Sequence, residues 1–314
     1  MILKRCWGIF KLLINKQQPV AIIMVDGGLG SQLNKLIIGE ILKKKTGALV
    51  KYDLSWFEDC GKSIDNKENR LFELTKVFKN IDFPIATEEE IKLYKKCFRH
   101  KNKNSFKYNK KDLSKKPPVY LDGYFGNWQY LAEFQILGLQ KPEFNLELST
   151  KNQEILNRIS NSEISIAVHI RRGDYVNSIH EVLNANYFIN AINYMKNSFD
   201  KPVKFFIFSN GMDWVKNEII PNLNNADFEL IEENNNDSGA YDFYLLTQCK
   251  HQIISNASFG FLGAFLNKNE NKKVITPQVW IKKQKSDKLD FENSKAFHYK
   301  DWIVMSNEGE IIND

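Results

Sequence analysis

Short apolar runs alternate with amphipathic segments along most of the chain. Val20 to Val25 is an apolar run ended by Asp26-Gly27-Gly28, a pattern typical of a buried strand and a turn. From Gln32 the apolar spacing becomes helical, and Ala48 to Leu54 predicts a second strand. The order strand, glycine turn, helix, strand predicts an α/β unit in the first half of the chain.

The second half repeats the alternation more regularly and predicts a parallel sheet covered on both faces. The predicted strands are Ile164–Ile170, Val203–Phe208, Phe228–Ile231, His251–Ser255 and Lys273–Ile275, and the predicted helices are Ala185–Asn197, Met212–Ile219, Tyr241–Cys249 and Phe259–Leu266. Two α/β halves joined near residues 150–160 would form a cleft. Ligands of open α/β sheets bind at the carboxyl ends of strands, so the chemistry is expected there.

Two segments depart from this alternation. Residues 1–15 read MILKRCWGIFKLLIN and predict a helix with Lys4, Gly8, Lys11 and Asn15 along one stripe. This helix either packs on the body or frays, or it is a basic amphipathic segment that contacts anionic lipid. The Lys-rich stretch from Lys92 to Lys116 is interpreted as a solvated, mobile excursion, with a polyanion or membrane-surface patch as the alternative.

Composition narrows the class of protein. The chain has 314 residues, of which 43% are hydrophobic and 26% charged, and this balance is typical of a globular protein. Its four cysteines are scattered without a CxxC pair, which fits a reducing compartment better than a disulfide framework. The net charge of +6 permits acidic partners without naming them. No apolar run approaches the ~20 residues of a membrane-spanning helix.

The densest group of charged residues directly follows the strand that begins at Ile164. In His169-Ile170-Arg171-Arg172-Gly173-Asp174, alternation places His169 and Arg171 on one side and Arg172 and Asp174 on the other. Adjacent arginines at the mouth of a sheet call for an anion, and a guanidinium matches phosphate oxygens bidentately. The structural alternative is an Arg–Asp ion pair at a domain edge.

Two weaker groups lie at other turns. Gly27 to Gln32 joins a strand to a helix and could admit an anion, although a tight turn explains the same glycines. Asp242 falls in a first helical turn, and Ser255, Asn256 and Ser258 precede another helix, where they could hold phosphate or ribose or simply cap the helix. The chain has no D-x-D pair, so Arg171 and Arg172 are the natural groups to neutralise a diphosphate.

These residues point to a family. His169 to Tyr175 resembles the HxRRxDY signature of the α-1,2-fucosyltransferases, the inverting enzymes of glycosyltransferase family 11. Four further blocks, together covering much of residues 20–280, are similar to that family's motifs: Gly27–Gln32 (GGLGNQ), Tyr52–Phe57 (YxDxSWF), Phe208–Trp214 (FSDDxxW) and Tyr241–Asn267 (DxYLMSxCKHxIIANSSFSWWGAxLN).

The resemblance implies a GT-B-like α/β fold, with two Rossmann-type domains facing a cleft. It implies an acceptor-side domain at 1–158, which includes the candidate amphipathic basic segment at 1–18 that the residue pattern indicates. It also implies a GDP-fucose-binding domain at 159–280 and a tail at 281–314 that packs back on the body. The implied reaction transfers L-fucose from GDP-β-L-fucose to the 2-hydroxyl of a galactose-type acceptor with inversion, and it needs no metal or other cofactor.

The resemblance also implies residue roles. Arg171 and Arg172 would neutralise the departing diphosphate, and Asp174 would orient an arginine or act at the sugar. His169 would contact the nucleotide. Two further sets complete the implied site: Asp242, Asn256, Ser258 and Phe259 around guanosine and phosphate, and Gly28, Gly30, Ser31 and Gln32 facing the sugar or acceptor.

The acceptor hydroxyl needs a general base. Asp174 is the first choice, and His180 and Glu181 are second choices. The chain departs from the family pattern at three places, namely Ser31 for Asn, Asn210-Gly211 for an acidic pair and Phe261-Leu262 for paired tryptophans.

The expected setting is a cytoplasmic bacterial enzyme that decorates surface polysaccharide such as O-antigen. Its partners would be GDP-fucose and a galactose-terminated, lipid-linked oligosaccharide, and residues 1–16 would contact the inner face of the membrane. No nucleic-acid partner is expected. The alternatives are a fucosyltransferase of different linkage, a glycan-binding protein that does not catalyse, and a polyanion binder that uses Lys92 to Lys116.

Overall fold

The computed structural model describes residues 2–67, 69–234 and 239–312, which form two compact units that divide between Glu143 and Phe144. The sequence placed the division after residue 158. Helix Thr150–Asn161 accounts for the difference, because it buries Ile155 and Ile159 and lies against helix Gly239–Gln248 of the second unit.

The first unit is an α/β unit with a small parallel sheet. Its helices are α1 (Ile2–Ile14), α2 (Leu29–Thr46), α3 (Ser55–Asp59), α4 (Leu74–Val77), α5 (Glu88–Cys97) and α6 (Trp128–Ile136), with a 3₁₀ helix at Asp112–Ser114. Its strands are β1 (Ala21–Met24), β2 (Val50–Asp53), β3 (Phe78–Lys79), β4 (Arg99–Lys101) and β5 (Val119–Asp122), and β6 (Glu143–Phe144) lies at the boundary between the units.

The sheet of the first unit has the order β2-β1-β5-β4, and all three pairings are parallel. The predicted strand, turn, helix and strand are confirmed as β1, α2 and β2. Helix α2 is buried on almost every side, including Leu33, Ile37, Ile41 and the charged Lys35. The glycine turn therefore leads into a central helix of the unit.

The Lys-rich stretch from Lys92 to Lys116 is folded. It contains most of α5, all of β4 and the 3₁₀ helix. The Asp112 carboxylate is fully buried, where it accepts hydrogen bonds from Asn102 and Asn109 at 2.9 Å and lies 2.7 Å from His100 Nε2. The prediction of a mobile excursion is therefore wrong here, because β4 pairs with β5 in the sheet and polar contacts over three to twelve positions tie the segment to a buried carboxylate.

The second unit is a larger α/β unit. Its helices are α7 (Thr150–Asn161), α8 (Ala185–Lys196), α9 (Met212–Trp214), α10 (Gly239–Gln248), α11 (Ser258–Leu266) and α12 (Phe291–Ser294). A π-helix at Val215–Ile219 and a 3₁₀ helix at Ile220–Asn222 continue α9, and further 3₁₀ helices lie at Gly173–Tyr175 and Lys295–Phe297. Its strands are β7 (Ile164–Ile170), β8 (Val203–Ser209), β9 (Asp227–Ile231), β10 (His251–Ile254), β11 (Val274–Pro277), β12 (Ile303–Met305) and β13 (Ile311–Ile312).

The seven strands form one sheet in the order β13-β12-β11-β10-β7-β8-β9. All neighbours are parallel except β12 and β13, which run antiparallel. The predicted parallel sheet is confirmed. In the segment predicted as a tail at 281–314, the described residues 281–312 do more than pack back on the body, because they supply strands β12 and β13 of this sheet.

The apolar interior of the second unit restricts charged side chains to the edge of its sheet. The middle of β7 is fully buried at Ile166 and Val168, and the facing helix α8 buries Ile192 and Met195 completely. Such an apolar interior leaves the strand ends as the place for charged groups. Among residues 2–67, 69–234 and 239–312, every helix is too short or too polar to cross a membrane.

Candidate active site

Three neighbouring strands of the second unit deliver the predicted residues to one edge. Strand β7 lies between β10 and β8, with Ile254 opposite His169 and Ser209 opposite Ile170. Because the strands are parallel, their carboxyl ends meet at the same edge. The loops that follow them carry Arg171 to Asp174, Asn210-Gly211 and Ser255 to Ser258. The site predicted from scattered segments is therefore brought together within the second unit.

Arg171 is held from both ends. Its Nε donates to Asp174 Oδ1 at 2.8 Å, a terminal nitrogen lies 2.6 Å from the same oxygen, and its backbone N–H donates to Ser255 Oγ at 3.2 Å. Its guanidinium lies 5.6 Å from the centre of the Tyr175 ring. Its side chain is still one-fifth exposed, so the ion pair fixes the guanidinium group without removing it from solvent.

Arg172 is held differently. Its backbone N–H donates to Asn210 Oδ1 at 2.8 Å, and its guanidinium lies 4.4 Å from the centre of the Trp214 ring. A terminal nitrogen is 3.5 Å from Glu181 Oε1. Its Nε is buried and has no hydrogen-bond partner among the described residues. A buried donor without a partner is unfavourable, and an anion bound at this edge would supply one.

The loops after β7 and β8 interlock through glycines. Gly173 has a φ of +29°, and a Cβ there would collide with the Asn210 amide. A Cβ on Gly211 would lie 2.7 Å from Arg172 Cβ. The two loops therefore fix each other, which holds the Arg172 backbone at φ −124° and ψ −97°. Asn210 supplies the accepting oxygen that an aspartate would also supply.

His169 is an uncharged polar group under the arginines. Its ring stacks on Phe259 with centroids 5.2 Å apart, and its Nδ1 lies 3.0 Å from Ser255 Oγ. Burial, and then the Arg171 charge, lower the pKa of His169 to about 3. Ser255 Oγ can donate to Nδ1 or accept from it, depending on the tautomer of the ring. In the tautomer with the proton on Nε2, neutral His169 can act as a hydrogen-bond donor through Nε2.

The residues of the loop after β10 have two kinds of environment, one buried and one partly exposed. Asn256 is buried, and its Nδ2 donates at 2.8 Å to the carbonyls of His180 and Trp280. Its amide group therefore positions the loop. Ser258 and Phe259 are half-buried in the first turn of α11, where backbone N–H groups lack helical partners. These two residues remain suited to an anionic or ring-shaped ligand.

Asp242 lies one helix away, in the first turn of α10. It is half-buried, and its Oδ1 accepts from Asn234 Nδ2 at 2.7 Å. Asn234 in turn exchanges two 3.0 Å amide hydrogen bonds with Asn152. Burial raises the pKa of Asp242 to about 7, against the opposing effect of Asn234. Further hydrogen-bond donors to the Asp242 carboxylate would lower this pKa and so favour the ionised form.

The two second-choice bases also have partners. His180 stacks on Tyr175 with centroids 4.8 Å apart. Burial lowers the pKa of His180 overall, against the opposing effects of the Asp174 charge and a hydrogen bond to Trp280. Glu181 Oε2 accepts from the Asn177 N–H at 2.9 Å, and Glu181 also faces Arg172. Each predicted base is therefore already engaged with a neighbour.

The glycine turn of the first unit is strongly built. Gln32 is fully buried; its Nε2 donates to the carbonyls of Gly27 and Leu71, and its Oε1 accepts from the N–H groups of Glu73 and Leu74. This side chain ties the turn to α4 and has its hydrogen-bonding capacity filled.

The remaining residues of that turn differ in access. Ser31 Oγ donates to Asp26 Oδ1 at 3.2 Å, and Gly30 is buried in the first turn of α2. Gly28 has open space where a side chain would stand. Gly28 and Asp26 are therefore both accessible at this edge, and the Asp26 side chain is 26% exposed.

Sequence reasoning missed the charged groups that support this first edge. Lys35 is fully buried, with its ammonium 3.1 Å from Asp26 Oδ1 and 2.5 Å from the Gly123 carbonyl. Asp53 is also buried and accepts from Tyr120 at 2.5 Å. Burial raises the pKa of Asp53, but hydrogen bonds from Tyr120, Ser55 and Lys95 outweigh it and lower the pKa overall. The YxDxSWF block contained Asp53, whereas Lys35 had no local signal in a helical stretch.

The described parts of the chain contain no group of three or more His, Cys, Asp or Glu side chains arranged to hold a metal ion. The positive charges described above at the second edge are the guanidinium groups of Arg171 and Arg172. The arrangement can therefore bind a doubly charged anion between fixed cations and polar N–H groups.

Similar proteins place this arrangement in context. The chain is 29% identical over 288 residues to an alpha-1,2-colitosyltransferase of Escherichia coli, covering 86% of this chain and 96% of that protein. It is 26% identical over 306 residues to the E. coli O-antigen biosynthesis glycosyltransferase WbnK, covering 86% and 97%. It is also 31% identical over 157 residues to galactoside alpha-(1,2)-fucosyltransferase 2 of Bos taurus, where coverage is 47% and 45%.

Among solved structures, the α-1,6-fucosyltransferase NodZ co-crystallised with GDP superposes with a TM-score of 0.51 at 13% identity, covering 80% of this chain and 93% of NodZ. NodZ from Bradyrhizobium gives a TM-score of 0.50 at the same identity. This likeness shows the fold, which is α/β and GT-B-like with parallel sheets. The family model described as "Glycosyl transferase family 11" matches residues 70–306, and the chain therefore belongs to glycosyltransferase family 11.

Proposed function

We propose that the chain transfers L-fucose from GDP-β-L-fucose to the 2-hydroxyl of a galactose-type acceptor, with inversion and without a metal ion, in the synthesis of a bacterial surface polysaccharide. Membership of the family supports a glycosyl transfer. The bovine relative's name supports the α-1,2 linkage and the galactoside, and WbnK supports the O-antigen setting.

The observation that carries the proposal is the pair of arginines at the end of β7. Both are fixed by partners before any ligand binds, and both side chains are about one-fifth exposed. The buried Nε of Arg172 also finds no hydrogen-bond acceptor among residues 2–67, 69–234 and 239–312. Fixed donors stabilise charge that develops in a transition state because they need no reorganisation. A departing nucleoside diphosphate develops such charge.

The mechanism is a single displacement at the anomeric carbon. The acceptor hydroxyl forms the new C–O bond on the face opposite the diphosphate, while the bond to the diphosphate oxygen breaks and leaves the electron pair on GDP. Arg171 and Arg172 bind the developing negative charge, and Asp174 positions Arg171. The acceptor proton passes to a base, for which Asp174, His180 and Glu181 are the candidates.

The nucleoside would occupy the rest of the same edge. Asp242 can accept two N–H donors from a guanine, which would stabilise its ionised form. His169 Nε2 and the first N–H groups of α11 can donate to ribose or phosphate. In the first unit, Gly28, Ser31 and the neighbouring Asp26 are the proposed groups for the sugar or acceptor, and Gly30 and Gln32 hold their turn.

A second candidate donor is GDP-colitose. The similarity to an alpha-1,2-colitosyltransferase over 86% of this chain favours testing it. Colitose is the 3-deoxy form of fucose, so the two donors differ by one hydroxyl group. A site that hydrogen-bonds this hydroxyl would reject colitose by a factor of up to about 10⁴, whereas a site without a partner for it would accept both sugars.

The testing experiment measures GDP release from GDP-fucose in EDTA, with and without lactose, Galβ1,3GalNAc or Galβ1,3GlcNAc. GDP-colitose is run in parallel, and the linkage of any product is determined by NMR. Acceptor-dependent release with an α-1,2 product supports the proposal. A different linkage identifies the nearest rival enzyme. Glycan binding without release from either donor identifies a binding protein, and release only after Mg²⁺ or Mn²⁺ is added refutes metal independence.

A further inference from the structure

Helix α1 presents its apolar side outward. Leu3 is 86% exposed, Leu13 71%, Ile14 61% and Phe10 60%. We call these four residues the outward stripe. On a helix of 3.6 residues per turn, they fall within about 100° of one another, which makes them one continuous face. A soluble helix normally turns such a face toward the core, so the orientation of α1 needs an explanation.

The inner side of α1 fixes this orientation. Gly8 and Leu12 are its buried residues. A Cβ on Gly8 would lie 2.7 Å from Cys97 Cβ, so the backbone of α1 sits directly on the end of α5. The Arg5 guanidinium lies 5.7 Å from the centre of the Phe98 ring. The predicted stripe of Lys4, Gly8, Lys11 and Asn15 contains the buried Gly8, and the prediction of a helix packed on the body is confirmed for this side of α1.

Basic residues border the outward stripe on both flanks. Lys4 and Lys11 lie on one flank of the helix, and Arg5 lies on the other. Lys16 follows the helix, in a turn where its φ is +50°. Lys96 of α5 adds a further cation, 4.6 Å from the centre of the Trp7 ring. The chain has no acidic residue before Asp26. The surface is therefore apolar in the middle and positive at both sides.

We propose that the outward stripe inserts into the surface of an anionic phospholipid bilayer, with α1 lying flat in the headgroup region. A helix of 13 residues is about 20 Å long, which suits an in-plane helix and is too short to span the ~30 Å hydrocarbon layer. The flanking lysine and arginine side chains can extend to lipid phosphates while their stems cover apolar surface.

Charge favours a bilayer over a second copy of this chain. Two outward stripes facing each other would bring basic flanks against basic flanks, with no acidic group on α1 to pair them. A bilayer with anionic headgroups supplies the complementary charge along both flanks at once. This inference is independent of the proposed sugar donor and acceptor.

The test is sedimentation of the full chain with sucrose-loaded vesicles. One set is phosphatidylcholine with roughly one-third phosphatidylglycerol, and the other is pure phosphatidylcholine. We expect binding to the anionic vesicles that weakens as salt is raised. Serine at all four positions of the outward stripe should reduce the partition coefficient by about tenfold or more. Lys4→Gln with Lys11→Gln should reduce it several-fold on anionic vesicles only.

Matched controls separate this effect from general surface changes. Leu71 and Ile136 are exposed apolar residues elsewhere in the first unit, at 62% and 79%. Leu71→Ser with Ile136→Ser should leave vesicle binding unchanged. Circular dichroism and the Tm should match the parent chain in every variant, because the replaced side chains are exposed.

Three results would overturn the proposal. The first is absence of binding to anionic vesicles by the parent chain. The second is equal loss of binding in the Leu71→Ser/Ile136→Ser control. The third is a concentration-dependent dimer in sedimentation equilibrium that disappears when the outward stripe is replaced, without vesicle binding. That third result would assign the stripe to a second copy of the chain.

Discussion

The carboxyl edges of the two parallel sheets carry similar charges but hold them in different ways. In the first unit, Lys35 is fully buried between the Asp26 carboxylate and the Gly123 carbonyl. In the second unit, Arg171 and Arg172 are also fixed, but each stays about one-fifth exposed, and the Arg172 Nε has no hydrogen-bond partner in the part of the chain that the structure describes. A charge that the fold satisfies completely supports structure, whereas a charge held in place and left incomplete is suited to a ligand.

The largest expected effect is at Arg172. Arg172→Ala should lower the rate of sugar transfer by about 10²–10³, because it removes a fixed donor to the departing diphosphate. The Tm should change little, since the guanidinium's internal contacts are the Trp214 ring and an ion pair 3.5 Å long. The measurements are single-turnover GDP formation and thermal unfolding.

The matched control for Arg172 is Arg158→Ala. Arg158 Nε donates to Glu229 at 2.9 Å on the surface of the same unit, and its side chain is 45% exposed. We expect transfer by this variant to match that of the parent chain. Full activity in Arg172→Ala would show that the partly exposed arginine of the second edge is not needed for sugar transfer, and would contradict the functional contrast between the two edges.

The next effect is on stability in the first unit. Lys35→Met should lower the free energy of unfolding by about 2–4 kcal/mol, because Asp26 loses its cation and the Gly123 carbonyl loses its donor. Urea unfolding measures this change. Lys92→Met, at a side chain 78% exposed, should stay within about 0.5 kcal/mol of the parent. Unchanged stability with lost transfer would instead make Lys35 a ligand-binding group.

Substitution of Asp174 distinguishes a role in positioning Arg171 from a role as the general base. Asp174→Asn should lower kcat/KM by about 10- to 100-fold, because Arg171 loses a charged partner. If Asp174 only positions Arg171, the acidic limb of the pH–rate profile persists. Disappearance of that limb would identify Asp174 as the base. Asp227→Asn, at an exposed position in β9, serves as the control and should leave both quantities unchanged.

The smallest effect concerns the pH dependence of GDP binding. The pKa of Asp242 is about 7 in the folded chain, so its carboxyl group is mostly protonated below that pH. If guanine binds the ionised form, GDP affinity should fall by up to about tenfold per pH unit from 7 toward 5. Calorimetry in two buffers of different ionisation enthalpy would detect the proton released on binding. Asp242→Asn should abolish this component, and the titration of GDP itself is common to both proteins.

The raised pKa of Asp242 also affects the free energy of unfolding, in the opposite direction: GDP affinity should rise with pH, whereas stability should fall. The unfolded carboxyl group ionises near pH ~4, so its contribution to stability is complete below that pH and is lost as the pH rises toward 7. Saturating GDP should restore part of that stability at neutral pH if the nucleotide supplies the missing donors. A GDP-dependent rise in Tm that is equal in Asp242→Asn would contradict this role.

Local patterns predicted the elements that place the second edge. Strand β7 has the predicted bounds, and its charged loop stands where parallel strands put ligand-binding groups. The arginine pair could be recognised because the packing of apolar side chains does not explain two adjacent guanidinium groups at the end of a buried strand. Periodicity and charge together were sufficient for this part of the site.

Long-range partners decided the parts that sequence could not predict. Asn256 looked like a ligand-binding amide, but its donors reach the carbonyls of His180 and Trp280, which are 76 and 24 positions away. Lys35 looked like an ordinary helical lysine because its partner Gly123 lies 88 positions away. Such pairings are absent from any local pattern.

The interlocked glycines at the second edge constrain how this sequence can be recombined. Gly173 leaves room for the Asn210 amide, and Gly211 leaves room for the Arg172 side chain. A chimera with a crossover between these loops would combine one parent's loop after β7 with the other's loop after β8. We expect such chimeras to fold yet misplace Arg172, whereas exchanging residues 171–211 as one block keeps the arginine in register. In a mutational library, the two loops should therefore vary together as one inherited unit.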